Sequence, residues 1–268
     1  MVTSLAAALA VAVVMAGAAL WSRRIQRYAV VDAAWGAAFV AAAAVGAVAA
    51  QAASGGSSGT TARRWLLVVL VAVWGGRLTW HLLGRVTTAG HDDPRYEQMM
   101  GRPFREVPFG RVLVKVFLLQ GVAVAIVSAP VVAGEALAPD GAWAWQVVPG
   151  VMLWAAGLVF EAVGDAQLAA YKADPDRGPV LDTGLWAWTR HPNYFGDACV
   201  WWGLWLVGGV ASGPWVALAT LPGPVVMTWF LTVVSGARLT DRRMEGRPGW
   251  AEYAAKTPMF LPRPPRRT

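Results

Sequence analysis

The chain has 268 residues, 56% of them hydrophobic and 15% charged, with a mean hydropathy of +0.45, and this composition excludes an ordinary soluble domain. Long uncharged runs rich in Ala and Val, without strict alternation, exclude a transmembrane β-barrel and leave a polytopic helical membrane protein. The single Cys199 excludes an internal disulfide and a cysteine metal cage, three scattered His give no zinc spacing, and the net charge of +7 falls between apolar runs, where membrane topology explains it better than nucleic acid.

In chain order the apolar runs predict seven spans, at roughly 3–20, 29–50, 65–83, 111–134, 145–171, 192–212 and 215–236. Arg23, Arg24 and Arg27 follow the first run, which lacks a basic leading region and so reads as a retained helix rather than a signal peptide. Loops alternating from an outside N-terminus place 21 of the 23 Lys and Arg on one side, with Arg63 and Arg64 opposite. That side is read as the cytoplasm, with the C-terminus in it. The expected fold is therefore all-α: a transmembrane helix bundle of about seven spans forming a single integral membrane domain, 1–268. Ser54 to Thr61 reads as a flexible outer loop, Pro222-Gly-Pro224 as a kink in the last span, and Pro262 to Thr268 as a disordered tail.

Function is carried by polar residues inside apolar helices, because an ionisable group at membrane depth costs about 2.5–3.5 kcal/mol on insertion scales unless it is paired or hydrated. Asp32 opens the second span, Arg77 and His81 close the third, Glu161 and Asp165 lie in the fifth, and Asn193 and Asp197 begin the sixth. Spacing of i, i+4 puts Tyr28 with Asp32, Arg77 with His81, Glu161 with Asp165, Asn193 with Asp197, and Arg238 with Arg242 on shared helix faces. Each pair alone is as compatible with a helix-end ion pair as with function. Five at one depth point to a polar chamber open to the cytosol. The densest run is Leu185 to Asp197, where Pro192 suits the first helical position and Arg190 stands beside an anion-favouring helix N-terminus. A second basic cluster, Arg238, Arg242, Arg243 and Arg247, is equally compatible with contact to anionic membrane lipid.

Thr189-Arg-His-Pro-Asn-Tyr-Phe-Gly-Asp197, Phe160-Glu-Ala-Val-Gly-Asp-Ala-Gln-Leu168, and Trp250-Ala-Glu-Tyr253 through Pro258-Met-Phe-Leu-Pro262 resemble the steroid 5-alpha-reductase family, in its bacterial branch of integral membrane proteins. The likeness is firm over 150–262. It is weaker over Val31-Asp-Ala-Ala-Trp-Gly36, Trp74-Gly-Gly-Arg-Leu-Thr-Trp-His81 and Asp92-Asp-Pro-Arg-Tyr96. The resemblance implies a seven-helix bundle in the bacterial inner membrane that binds NADPH from the cytosolic side. It also implies reduction of an activated carbon–carbon double bond in a lipid-soluble substrate, with no obligate protein partner. Carried over by position, it places Glu161, Asp165, Lys172, Asn193, Tyr194, Asp197, Arg238 and Arg242 around the dinucleotide, with Arg190 added from its place at the helix start.

Arg and Lys suit the phosphates, and Asn and carboxylates suit ribose hydroxyls and the nicotinamide amide. No G-x-G-x-x-G follows a predicted strand, so helices must bind any nucleotide. The chain departs from the family at Glu161, where an Asn is usual, and at Arg242, Arg243 and Met244 after the last span. The Glu and Tyr pair that polarises the ketone in steroid reductases has no clear match. Tyr28 with Asp32, or His81 with Tyr96, are the groups expected to supply the acid. No metal is expected.

The Arg190-His-Pro-Asn-Tyr-Phe-Gly196 run also resembles isoprenylcysteine and phospholipid methyltransferases, which use S-adenosylmethionine. Against that alternative, the adjacent Glu pair of those enzymes is missing and Glu245 stands alone. A transporter would spread polar residues through the membrane depth or pair broken helices.

Overall fold

The computed structural model describes residues 1–54, 58–88, 91–137, 145–234 and 236–265, and the regular elements among them are all helices, with no strand. In chain order the helices are α1 (Val2–Ile25), α2 (Val30–Ser54), α3 (Ser58–Thr88), α4 (Pro94–Met100), α5 (Phe109–Val127), α6 (Ala129–Ala136), α7 (Val147–Ala173), α8 (Pro192–Gly208), α9 (Pro214–Thr220), α10 (Pro222–Trp229), α11 (Ala237–Met244) and α12 (Trp250–Lys256). Among the described residues, six stretches are long and apolar enough to cross a membrane: α1, α2, α3, α5, α7 and the run from Pro214 to Met244. The remaining expected span, 192–212, is helical only as α8, 17 residues long.

The chain folds as two compact units: Met1–Val148 with Leu204–Gly223 (unit 1), and Pro149–Gly203 with Pro224–Thr268 (unit 2). In unit 1, α2 and α3 cross where Gly36 meets Gly75; a Cβ on Gly36 would stand 2.2 Å from the Gly75 carbonyl oxygen. Small residues let two backbones touch, and dispersion across that contact replaces the hydrophobic drive that lipid does not provide. Trp74 is fully buried beside the crossing and packs edge-on against Phe39 at 5.5 Å. Unit 2 repeats the device: a Cβ on Gly157 of α7 would meet the Gly196 carbonyl of α8 at 2.5 Å. Leu5, Leu9 and Val13 of α1 and Met152 of α7 are exposed, as a lipid-facing surface requires.

Local chemistry sets several boundaries. Gln26 ends α1 in the left-handed conformation, at φ 59°. The amides that open α2 are capped from far along the chain, because the Asp92 carboxylate accepts from Tyr28 N at 2.5 Å and Ala29 N at 3.0 Å. Asp93 caps α4, accepting from Arg95 N at 2.9 Å, with Pro94 at the first helical position. α8 starts at Pro192 as its sequence anticipates. Ser128 and Pro130 break the fourth expected span into α5 and α6, and the last is interrupted at Leu221 and by a wide π turn at Phe230–Val234.

Two expectations are corrected. Helix covers Ser54 and residues 58–61, which were expected in a flexible loop; 55–57 lie outside the described residues. The tail is not disordered from Pro262: Arg263 N donates to the Trp188 carbonyl at 2.9 Å and its guanidinium to the Lys256 carbonyl at 3.0 Å. Residues 266–268 are outside the description.

Candidate functional site

Unit 2 gathers a polar centre around the first turn of α8. Gly164 of α7 leaves room for Pro192 and Asn193, whose atoms lie 3.1 Å from where a Cβ would stand. Asn193 Nδ2 then donates to Asp165 Oδ1 at 3.1 Å. Glu161, one turn earlier on α7, is buried against Gly196. Asp197 is also buried, and Tyr194 stacks on His191 with ring centroids 5.3 Å apart.

α11 is tied to this turn by Asp241. Arg190 donates to Asp241 Oδ2 from Nε at 3.1 Å and from Nη2 at 2.7 Å, and His191 Nε2 lies 2.8 Å from Oδ1. An ionised Asp241 therefore fixes the imidazole proton on Nε2. Arg238 and Arg242, one turn apart on α11, are exposed and hold no side-chain bond among the described residues. Lys172 is exposed in the last turn of α7.

Arg190 has a different job from the one expected of it. Its Nη1 donates to the carbonyls of Ala254 at 2.8 Å and Thr257 at 2.7 Å, so most of its donors are spent on the protein. Thr189 Oγ1 reaches the carbonyls of Met259 and Phe260, Arg190 N that of Pro258, and Tyr253 Oη that of Trp186 at 2.7 Å. Burial pushes the Tyr253 hydroxyl above its ordinary value, so it stays a donor at neutral pH. The run before α8 is thus the anchor of the C-terminal segment.

Unit 1 holds a second cluster. Tyr96 of α4 donates its hydroxyl to Asp32 Oδ1, and Gln120 Nε2 donates to the same hydroxyl at 3.2 Å. Arg95 Nη2 bridges Asp32 Oδ2 at 2.9 Å and Asp93 Oδ2 at 2.8 Å. Burial, then the charge of Asp32, hold the Tyr96 hydroxyl well above the usual tyrosine range. Burial would also raise Asp93, but the Arg95 guanidinium outweighs it and keeps that carboxyl below the ordinary aspartate value. The four residues expected to supply the acid are re-paired. Asp32 meets Tyr96 rather than Tyr28, whose hydroxyl instead donates to the Arg102 carbonyl at 3.2 Å. His81 is exposed on α3 and does not meet Tyr96.

Sequence reasoning missed Asp241, Arg95 and Gln120. Asp241 carried a usable signal, being the only acid between Arg238 and Arg243.

A family model covers residues 18–257, described as a protein of unknown function (DUF1295). The chain belongs to this family. The DUF1295 match takes in both clusters, from Asp32 to Tyr96 and from Asp165 to Asp241. No curated protein and no solved structure matches the chain.

Proposed function

We propose that this DUF1295 protein is a membrane-embedded reductase that uses NADPH to reduce an activated carbon–carbon double bond in a lipid-soluble substrate, such as a sterol, isoprenoid or fatty acyl compound. The observation that carries the reading is the convergence in unit 2 of Asp165, Asn193 and Tyr194 with α11, held there by Asp241. That constellation fits a phosphorylated dinucleotide. Arg238 and Arg242 offer two uncommitted guanidinium groups for phosphates, and Asn193 and Asp165 offer an oriented amide and carboxylate for hydroxyl or carboxamide groups. S-adenosylmethionine, which carries no phosphate, leaves the guanidinium pair without a role.

When bound, NADPH supplies hydride. The protein's own share is positional. Asp165 orients the Asn193 amide, and Asp241 pins the start of α8 to α11. Arg190 is withdrawn from the cofactor set because its donors are engaged. In this reading the cofactor side is the cytoplasm, the side to which charge assigns most Lys and Arg.

The test is thermal stability of the detergent-purified chain against NADPH, NADH and S-adenosylmethionine, because a ligand that binds only the native state raises apparent stability. NADPH is expected to stabilise the wild type, with the shift lost in Asn193→Ala and in Arg238→Ala. A shift with S-adenosylmethionine alone, or NADPH shifts unchanged in both variants, would sink the assignment.

A further inference from the structure

We infer that a cavity in unit 1 binds an oxyanion, a carboxylate or phosphate group. The cavity has a volume of about 310 Å³ and lies among the turn after α1, the last turns of α3 and the start of α4; its polar wall is Arg27, Asp32, Arg85, His91, Asp92 and Asp93. Three carboxylates suggest a cation site at first sight. Every one of their six oxygens, however, already accepts a hydrogen bond from the protein. Asp92 takes the amides of Tyr28, Ala29 and Asp93; Asp93 takes the amide and side chain of Arg95; Asp32 takes Tyr96 and Arg95.

The donors are in the opposite condition. Arg27 spends Nη1 on the Val86 carbonyl at 2.6 Å and has its other nitrogens to offer. Arg85 is exposed and makes no side-chain hydrogen bond or ion pair among the described residues. Each carboxylate oxygen is already engaged while Arg27 and Arg85 have donors to spare, so the cavity complements an acceptor-rich ligand. Arg95, behind the lining, pairs with Asp32 and Asp93, so together with Arg27 and Arg85 in the wall it offsets the charge of the three carboxylates. Arginine's fork matches the paired oxygens of carboxylate and phosphate. Leu82 and Val86 of the same wall offer apolar surface for the first carbons of an amphiphile whose head the arginines hold. The site stands whether or not the chain is a reductase, and its test reads binding alone.

Two probes separate the sources of the oxyanion: dodecyl phosphate and inorganic phosphate. Each is titrated into the full chain in dodecyl maltoside at fixed total detergent, with intrinsic tryptophan fluorescence and thermal shift as readouts, on wild type and Arg85→Gln. Arg85 supports no internal bond, so the variant is expected to fold. The wild type is expected to bind dodecyl phosphate, with affinity falling as salt rises and roughly tenfold weaker in Arg85→Gln, the size of a lost charge-assisted bond. Inorganic phosphate binding that is also lost in Arg85→Gln supports a free-anion site; dodecyl phosphate alone supports an amphiphile head. Equal binding by wild type and variant, or no binding of either probe, overturns the proposal. If Arg85→Gln is not monodisperse, Arg85→Lys takes its place: several-fold weaker binding supports the site and unchanged binding overturns it.

Discussion

The Glu135 side chain in α6 is completely buried, and neither carboxyl oxygen has a hydrogen-bond partner among the described residues. Oε2 lies 2.4 Å from where a Cβ on Gly46 would stand, so glycine at 46 makes room for it. Nearby, Arg64 turns its Nε to the Glu135 backbone carbonyl at 2.7 Å and its other nitrogens to Gln51 and Ser54. An unpaired carboxylate in such a place costs several kcal/mol, and an unsatisfied neutral acid costs roughly 1–3 kcal/mol. Glu135→Met, which keeps an unbranched shape and removes the polar atoms, is therefore expected to leave the thermal midpoint in detergent unchanged or raise it. A drop of several degrees would show that the carboxyl has a partner or a task. Tyr96 and Asp32 show how far residue-level reading reaches. Both were legible as site-lining groups, but their pairing was not, since 64 positions separate them. Spacing favoured Tyr28 with Asp32 as successive turns of one helix; α2 begins only at Val30, so Tyr28 lies before the helix and points elsewhere.

At the level of elements, the start of α8 and the C-terminal segment form a clasp. Arg190, Thr189, Trp186 and Trp188 take hold of residues 253–263, and Asp241 of α11 locks Arg190 in place. Charge-assisted bonds of this kind contribute about 1.5–3 kcal/mol each. Asp241→Asn weakens two of them and releases the imidazole of His191 from its carboxylate. The expected result is trypsin cleavage after Lys256 several-fold faster than in wild type, with little change in overall helicity by circular dichroism. Unchanged cleavage would mean that the backbone contacts of Thr189 and Tyr253 suffice. The helix start at Pro192 was readable from the sequence because proline chemistry is local. The clasp was not, because its two halves lie more than 50 residues apart and the acid that closes it sits in a basic run that reads as a lipid contact.

For the whole molecule, the open quantity is the parity of the crossings. Among the described residues six stretches meet the length and hydropathy of a span, while α8, with 17 residues, extends about 25 Å against a hydrocarbon core of about 30 Å. An even count puts both termini on one side, and an odd count puts them on opposite sides. Only the odd count collects 21 of the 23 Lys and Arg on a single side, so α8 is expected to cross with the others. Tags at the two termini, probed with an impermeant label in intact cells, are expected to differ in accessibility; equal accessibility would return α8 to a partly inserted role. The interleaving of the chain also bears on synthesis. Arg63, near the start of α3, donates to the Ala211 carbonyl at 2.8 Å and to Ser212 Oγ at 2.9 Å, and the run before α8 is completed only by residues 253–263. Neither unit can close while the ribosome is still making its first half, so Arg63 waits for its partners at 211–212 and the run before α8 for residues 253–263. A nascent chain stalled before residue 211 is thus expected to be a substrate for membrane quality control rather than a folded half-protein.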